Sequence, residues 1–340
     1  MTQQNISKPS LFKYATSELS QDAIICYMLE WARPENKHID EETHNIGKVF
    51  LESLFKKSGK ELLSNYQKVE ILKQKKFIDI LCIVDEKFYI IIEDKVFTSE
   101  HSNQLSTYKR NILEKNILEK NILCIYYKTG EEFQKENIES KSYKIFTKED
   151  ILSAIPENAS NCILADYRSY IVKLLINADY INKPIRTWGT NAGIKFVNEE
   201  MSKIEGIHWG SNITNGRGKN PGVFFQYEII TSKGVAFYLR FAFKEKEIQF
   251  KIQKEGVQPT KNLGLEFYEL INYMNSKEGY CLEIKKSCKQ DSNIMIVAKV
   301  INTIESKSDG TVDIEATTKR IKQIMDMHKK IIESFTFDNR

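Results

Sequence analysis

The sequence predicts an α/β core of helix, three-stranded antiparallel hairpin sheet, helix and strand, followed by an α+β C-terminal domain. Three observations predict it. Two Ile- and Val-rich runs, at 77–84 and 88–95, are separated by the polar triplet Asp85-Glu86-Lys87. Such runs across a short polar break read as a hairpin of buried strands. Amphipathic helical spacing precedes them, and a polar helix and a further apolar run follow. After Asn182-Lys183-Pro184 the pattern changes to meander-like strands mixed with helices, the mark of a separate α+β layer. The expected domains are therefore residues 1–183 and 184–340.

Each element has a local reason. Thr16 or Ser17 can cap a first helix, and Leu19, Ala23, Ile24, Met28 and Trp31 follow at helical spacing before Pro34. A second helix is expected over 45–57, with Val49, Phe50, Leu54 and Phe55 as its inner face. Residues 68–73 read as a strand. A polar helix is expected over 99–119 and a strand, NILCIYY, over 121–127. The unit NILEK occurs twice in succession from Asn111, a period of five that fits neither helix nor strand and marks no solenoid. A helix is expected over 161–181 and another over 189–204. The Gly- and Asn-rich stretch 210–222 reads as a loop. Strands at 223–231, 235–243, 248–254, 280–285 and 293–300, with helices at 263–275 and 312–335, complete the second half.

With 340 residues and 41% hydrophobic content, the chain can bury a sizeable core. A net charge of +4 permits a polyanionic partner through a local basic surface without demanding one. The six cysteines form no Cys-x-x-Cys pair, so buried reduced thiols are expected rather than a zinc site. The polar N-terminus has no apolar signal region and no apolar stretch reaches the length of a membrane span. A soluble cytoplasmic protein is expected.

The chemistry sits on the hairpin. With Glu86 at the turn centre, Val84 faces Phe88, and counting back places Asp79 opposite Glu93. Cross-strand neighbours lie about 4.5–5.5 Å apart at Cβ. Side chains alternate along a strand, so Glu93 and Lys95 share a face while Asp94 points away. Like charges placed opposite each other destabilise a sheet. A divalent cation resolves that conflict, since magnesium takes oxygen ligands and is held by one or two carboxylates plus a phosphate. Lys95 can then orient water or offset charge developing on a phosphate. The plain alternative is a buried ion pair.

These residues resemble the PD-(D/E)xK nuclease superfamily, RecB-like bacterial members in particular. Ile78-Asp79 matches the Asp motif, with Ile78 in place of proline, and Glu93-Asp94-Lys95 matches the second motif in full. Glu18, in SELSQDAIICYMLEW, resembles the acid of the first core helix that completes the metal site; a first-turn Glu favoured by the helix dipole is the alternative. Gln104 and Tyr108, four apart on one helix face, resemble the Q-x-x-x-Y motif that contacts substrate or supports the site. The resemblance covers about residues 15–180. It implies a restriction-endonuclease-like core, Asp79, Glu93 and Lys95 as catalytic residues, and Asp79, Glu93 and Glu18 around Mg2+, with Mn2+ as a substitute. It further implies DNA as substrate, a part in restriction or anti-phage defence, and a homodimer if both strands are cut together. A nucleic-acid- or protein-binding module on a disabled nuclease fold and an RNA-cleaving enzyme are the competing readings.

Other expectations concern substrate contacts. Lys68, Lys73, Lys75, Lys76, Lys109 and Arg110 are candidates for phosphate contacts, or else a solvated face. His101, Arg217 and Lys219 are loop candidates. Phe224, Phe225, Tyr227, Phe237, Tyr238, Phe241 and Phe243 are expected to fill a core rather than stack on bases.

Overall fold

A computed structural model describes the chain except residues 1–8, 76–77, 97–102, 115, 133–134, 206, 208–221, 231–233, 255, 292 and 338–340. The chain divides into two units, Met1–Ile176 and Asn177–Arg340.

The first unit begins with two helices. In α1 (Glu18–Trp31) the hydroxyl of Ser17 accepts from the Ser20 amide, which caps the first turn. In α2 (Glu41–Lys57) Asp40 does the same for Thr43, and two acidic residues follow where the helix dipole favours them. The helix therefore starts four residues earlier than the apolar spacing predicts. Gly47 lets α2 cross the end of α1. A Cβ there would stand 2.6 Å from the Met28 carbonyl oxygen and the Ala32 nitrogen. Leu19 and Val49, expected on inner faces, are both exposed. Gln21 and Asp22 are buried on α1 instead, and Ile46, Phe50, Leu51, Leu54 and Phe55 fill the inner face of α2.

Five strands form one sheet: β1 (Val69–Lys75), β2 (Ile78–Val84), β3 (Phe88–Lys95), β4 (Ile122–Lys128) and β5 (Lys144–Phe146), in that spatial order. Strands β1, β2 and β3 pair antiparallel, while β4 runs parallel to β3 and β5 parallel to β4. The sheet is thus larger and more mixed than the three-stranded antiparallel one expected. The β2–β3 register places Val84 against Phe88 and runs to Ile80 against Ile92. Asp85 and Glu86 take left-handed φ values of 50° and 53° in the turn, a conformation acidic and amide residues adopt more readily than bulky ones.

Two apolar clusters sandwich this sheet. Ile80, Cys82, Val84, Ile90 and Ile92 face α1 and α2. Leu81, Ile91, Tyr126 and Tyr143 face the other way, packed with Leu105, Tyr108 and Ile112 of α3 (Gln104–Leu113). The helix α3 is half the length expected. Asn103 and Asn116 both take left-handed φ, and the second NILEK unit lies outside the helix in a turn and a short 3-10 segment. After β4 come α4 (Lys135–Ser140), α5 (Lys148–Ala154), which opens with a Thr147/Asp150 capping box, and α6 (Cys162–Ala178), whose last two residues fall past the end of the unit. Neither α4, β5 nor α5 was expected.

The second unit holds α7 (Thr190–Glu199) and an antiparallel sheet of β6 (Gly222–Ile230), β7 (Val235–Ala242), β8 (Glu247–Lys254), β9 (Ile284–Asp291) and β10 (Ile294–Val300), with α8 (Lys261–Lys277) and α9 (Ile314–Phe337). The strand order is β6-β7-β8-β10-β9. Phe237 packs on Phe267 of α8 at 4.7 Å and Phe250 on His328 of α9 at 5.7 Å. Phe225, Phe237, Phe241 and Phe243 are fully buried, as core residues. Phe224 is half-buried against Tyr238. The loop carrying Arg217 and Lys219 lies outside the described residues. No helix among the described residues is long and apolar enough to cross a membrane.

The six thiols are free, but only Cys82 and Cys124 are buried. Cys162 and Cys281 are exposed, against the expectation of buried thiols throughout. Cys162 opens α6 and Cys281 lies between α8 and β9 with φ 54°, both at surface positions.

Candidate metal centre on the end of the first sheet

Among the described residues, the last pair in the β2–β3 ladder is Ile80 with Ile92. One step beyond it, Asp79 and Glu93 lie on the same face as Leu81 and Ile91, by strand alternation. Asp79 turns its carboxylate to the backbone of β3, where its Oδ2 accepts from the Asp94 amide at 2.9 Å. Lys95 returns to the same point. Its Nζ donates to Glu93 Oε1 at 2.5 Å and to the Asp94 carbonyl at 3.1 Å, and stands 3.9 Å from Asp79 Oδ2. Asp79, Glu93 and Lys95 are therefore together.

Burial makes this cluster unusual. Glu93 is 1% exposed and Lys95 8%. Burial lifts the Glu93 carboxyl to about 7, Lys95 opposes the rise and Asp79 adds to it. For Lys95, burial pulls its pKa down, but Glu93, Asp79 and Glu18 outweigh it and the net shift is upward. The second oxygen of Glu93, Oε2, is buried and has no hydrogen-bond partner. A buried polar atom left unpaired costs about 1–3 kcal/mol. A cation beside Asp79 and Glu93 would satisfy it, so the donor set fits a hard divalent ion. Among the described residues no group of three or more His, Cys, Asp and Glu side chains cages a metal.

Glu18 reaches the site from the first turn of α1. Its Oε1 accepts from the Val96 amide at 3.4 Å, just past Lys95. Gln104 opens α3 and is half-buried. Tyr108 is buried one turn on, inside the apolar cluster with Ile91 and Tyr126, a position that braces the sheet. His101 and Glu100 lie outside the described residues.

The structure adds residues that were not anticipated. Gln21 and Asp22 are buried on α1. Gln21 donates its amide to Asp94 Oδ1 and accepts from the Thr129 hydroxyl at 2.7 Å. Asp22 lies 3.6 Å from Lys73. Burial raises its carboxyl to about 6, Asp79 adding to the rise and Lys73 opposing it. Burial likewise holds the Asp94 carboxyl well above the ordinary range, against the Gln21 hydrogen bond. Lys128, in register with Lys95 on the neighbouring strand, lies 3.5 Å from Glu132, which also accepts from the Tyr126 hydroxyl. One signal for the α1 residues was legible: Glu18, Gln21, Asp22 and Ile25 follow i, i+3, i+4, i+7 spacing, so polar side chains occupy an inner stripe.

The proposed phosphate contacts fare differently. Lys68 stands at the turn end of the hairpin, beside Glu86 at 2.8 Å, because it precedes β1, which runs antiparallel to β2 and starts with Val69 opposite Val84. Lys109 pairs with Glu119 at 2.7 Å. Lys73 alone of these described side chains is tied to the site, through Asp22. Lys76 lies outside the described residues.

A family model described as the PD-(D/E)XK nuclease superfamily matches residues 16–198, more than half of the chain. The chain belongs to that superfamily. Its first unit carries the restriction-endonuclease-like α/β core, and the class to which it belongs is that of metal-dependent nucleases. No curated protein and no solved structure matches the chain.

Proposed function

We propose that the chain is a Mg2+-dependent deoxyribonuclease that hydrolyses phosphodiester bonds at Asp79, Glu93 and Lys95. The observation that carries this reading is the buried, unpartnered Glu93 Oε2 beside Asp79 and Lys95. Asp79 and Glu93 would hold the ion, with Glu18 completing the site and Mn2+ able to substitute. When bound, the ion supplies Lewis acidity that activates water and offsets charge on the phosphate.

The side chains do the rest. Lys95, kept cationic by its carboxylate neighbours, orients the attacking water and offsets charge that develops on the phosphate oxygens. Its bonds to Glu93 and to the Asp94 carbonyl fix the ammonium before substrate arrives, so little reorganisation is needed in the reaction. Gln104, half-buried at the start of α3, would touch the nucleic acid, while Tyr108 braces the helix that carries it. The nuclease domain spans residues 1–183, and residues 184–340 serve substrate selection or assembly into a homodimer. A part in restriction or anti-phage defence follows by analogy with the superfamily.

The test is incubation of the purified chain with plasmid, linear DNA and RNA, in Mg2+ or in EDTA. Metal-dependent cleavage of DNA is the expected result. Cleavage of RNA alone would change the substrate, and binding without cleavage of any of them would favour a disabled nuclease fold.

A further inference from the structure

We propose that Gln21 and Asp94 are positioning residues, which lock the middle of the E-x-K triplet so that its backbone holds Asp79 and Lys95 in place. The inference rests on the nuclease reading above. Its basis is a convergence at one residue. The Asp94 amide donates to Asp79 Oδ2 at 2.9 Å, and the Asp94 carbonyl accepts from Lys95 Nζ at 3.1 Å. Two of the three proposed catalytic side chains, Asp79 and Lys95, are thus oriented by the main chain of the residue between Glu93 and Lys95.

On the β2 side that main chain is met by the Asp79 carboxylate and by no ladder pair among the described residues. Among the described residues the β2–β3 pairs stop at Ile80 and Ile92, and residues 93–95 pair with β4. The side chain of Asp94 makes up the difference. It is 1% exposed and receives the Gln21 amide. Gln21 in turn accepts from the Thr129 hydroxyl, and the Thr129 amide donates to the Lys95 carbonyl at 3.3 Å. The helix α1, the end of β3 and the end of β4 are pinned together at this point. Gln21 also lies one helical turn from Glu18, whose carboxylate meets the Val96 amide. The same clamp therefore sets where Glu18 arrives.

Packing alone does not call for these residue types. Positions 90 and 92 share the α1-facing side of β3 with position 94, and both are Ile in the apolar cluster. A buried carboxyl in that series is costly, while a third Ile would pack α1 on the sheet equally well. What Asp94 and Gln21 add is direction: a fixed set of hydrogen bonds that admits one placement of the strand end.

Steady-state cleavage by the full chain in saturating Mg2+ tests this, with rates expressed per folded molecule from a parallel unfolding measurement. Asp94→Ala and Gln21→Ala should lower kcat by about 10- to 100-fold, the scale of an ångström-level misplacement, with KM for DNA within about threefold of wild type. Asp94→Asn keeps an oxygen for the Gln21 amide and should stay within about threefold in kcat. Thr129→Val, which removes one bond of the clamp and leaves the fold intact, should fall between. The proposal is overturned if both alanine variants cut at the wild-type rate per folded molecule, or if Asp94→Asn is as poor as Asp94→Ala, since charge rather than placement would then matter. A wild-type chain that cuts nothing removes the nuclease reading and this inference together. An active wild type with undiminished variants removes this inference alone.

Discussion

Glu93, at the end of β3, and Glu247, at the start of β8, are both buried carboxylates held by a lysine, at 2.5 and 2.6 Å. Their surroundings differ. Glu247 Oε1 also accepts from the Gln249 amide at 2.8 Å, and Gln249 accepts from Arg240 at 3.1 Å. Every polar side-chain atom of that chain from Lys299 to Arg240 escapes the set of buried unpartnered atoms. At the end of the first sheet, Glu93 Oε2, Asp94 Oδ2 and Asp22 Oδ1 all belong to that set. Buried charge by itself is common in structural networks. A buried carboxylate oxygen without a hydrogen-bond partner, as Glu93 Oε2 is beside Asp79 and Lys95, is one that a bound cation would satisfy.

If that contrast is sound, substitutions in the two networks should separate cleanly. The largest effect is expected at the first site. Asp79→Ala, Glu93→Ala or Lys95→Ala should each cut DNA cleavage by about 10³-fold or more, with the fold retained in circular dichroism. Retained cleavage in any of them would break the comparison.

The next effect is one of pH. Burial raises Glu93 from 4.5 to about 7, so the folded, metal-free chain binds a proton that the unfolded chain has lost across that interval. Stability from this group is full below pH 4.5 and disappears as pH rises through about 7. Asp22, raised from 3.8 to about 6, acts in the same direction. A metal-free melting series should therefore fall with rising pH over this window. Added Mg2+ should restore more stability at the alkaline end, where the carboxylates are ready to bind it. A flat series, or equal protection by Mg2+ at both ends, would contradict the assignment of the orphaned oxygens.

A smaller effect tests the platform beneath the site. Gly47→Ala would drive a methyl group into the backbone of α1 at 2.6 Å. Its denaturant midpoint should drop by an amount equivalent to about 1–3 kcal/mol, because the obstacle is main chain and cannot rotate away. The least effect on chemistry is expected in the second unit. Glu247→Ala should cost about 1–3 kcal/mol of stability by stranding Gln249 and Lys299, while cleavage per folded molecule stays at wild type. Loss of activity there would show that a satisfied network can also be functional, and would blunt the contrast.

How much of this was legible in the sequence follows from where the signals lie. The strand 88–95 could be bounded because an unbroken apolar run ends in three charged residues, and the turn at 85–87 sets the β2–β3 register as counted from Glu86. Asp79, Glu93 and Lys95 could be grouped from that register alone. Thr129 and Lys128 could not, and Gln21 showed only as part of a polar stripe on α1, since helix packing or a parallel strand partner is what brings each to the same point. The β3–β4 pairing is parallel, so no short turn announces its register. The stretch that became α4, β5 and α5 was unread for a different reason. Its elements are three to seven residues long, too short for either apolar periodicity to repeat. The expected length of α3 failed because Leu, Glu and Lys make most of NILEK favourable to a helix, while Asn116, which opens the second unit, takes a left-handed φ beyond the helix end.

The most direct measurement is diffraction from a crystal soaked in Mn2+, recorded for its anomalous signal, in wild type and in Asp79→Ala. The account predicts one peak between the Asp79 and Glu93 carboxylates, in contact with Glu93 Oε2, and its loss in the variant. A peak elsewhere on the chain with none beside Glu93, or a peak unmoved by removing Asp79, would contradict it.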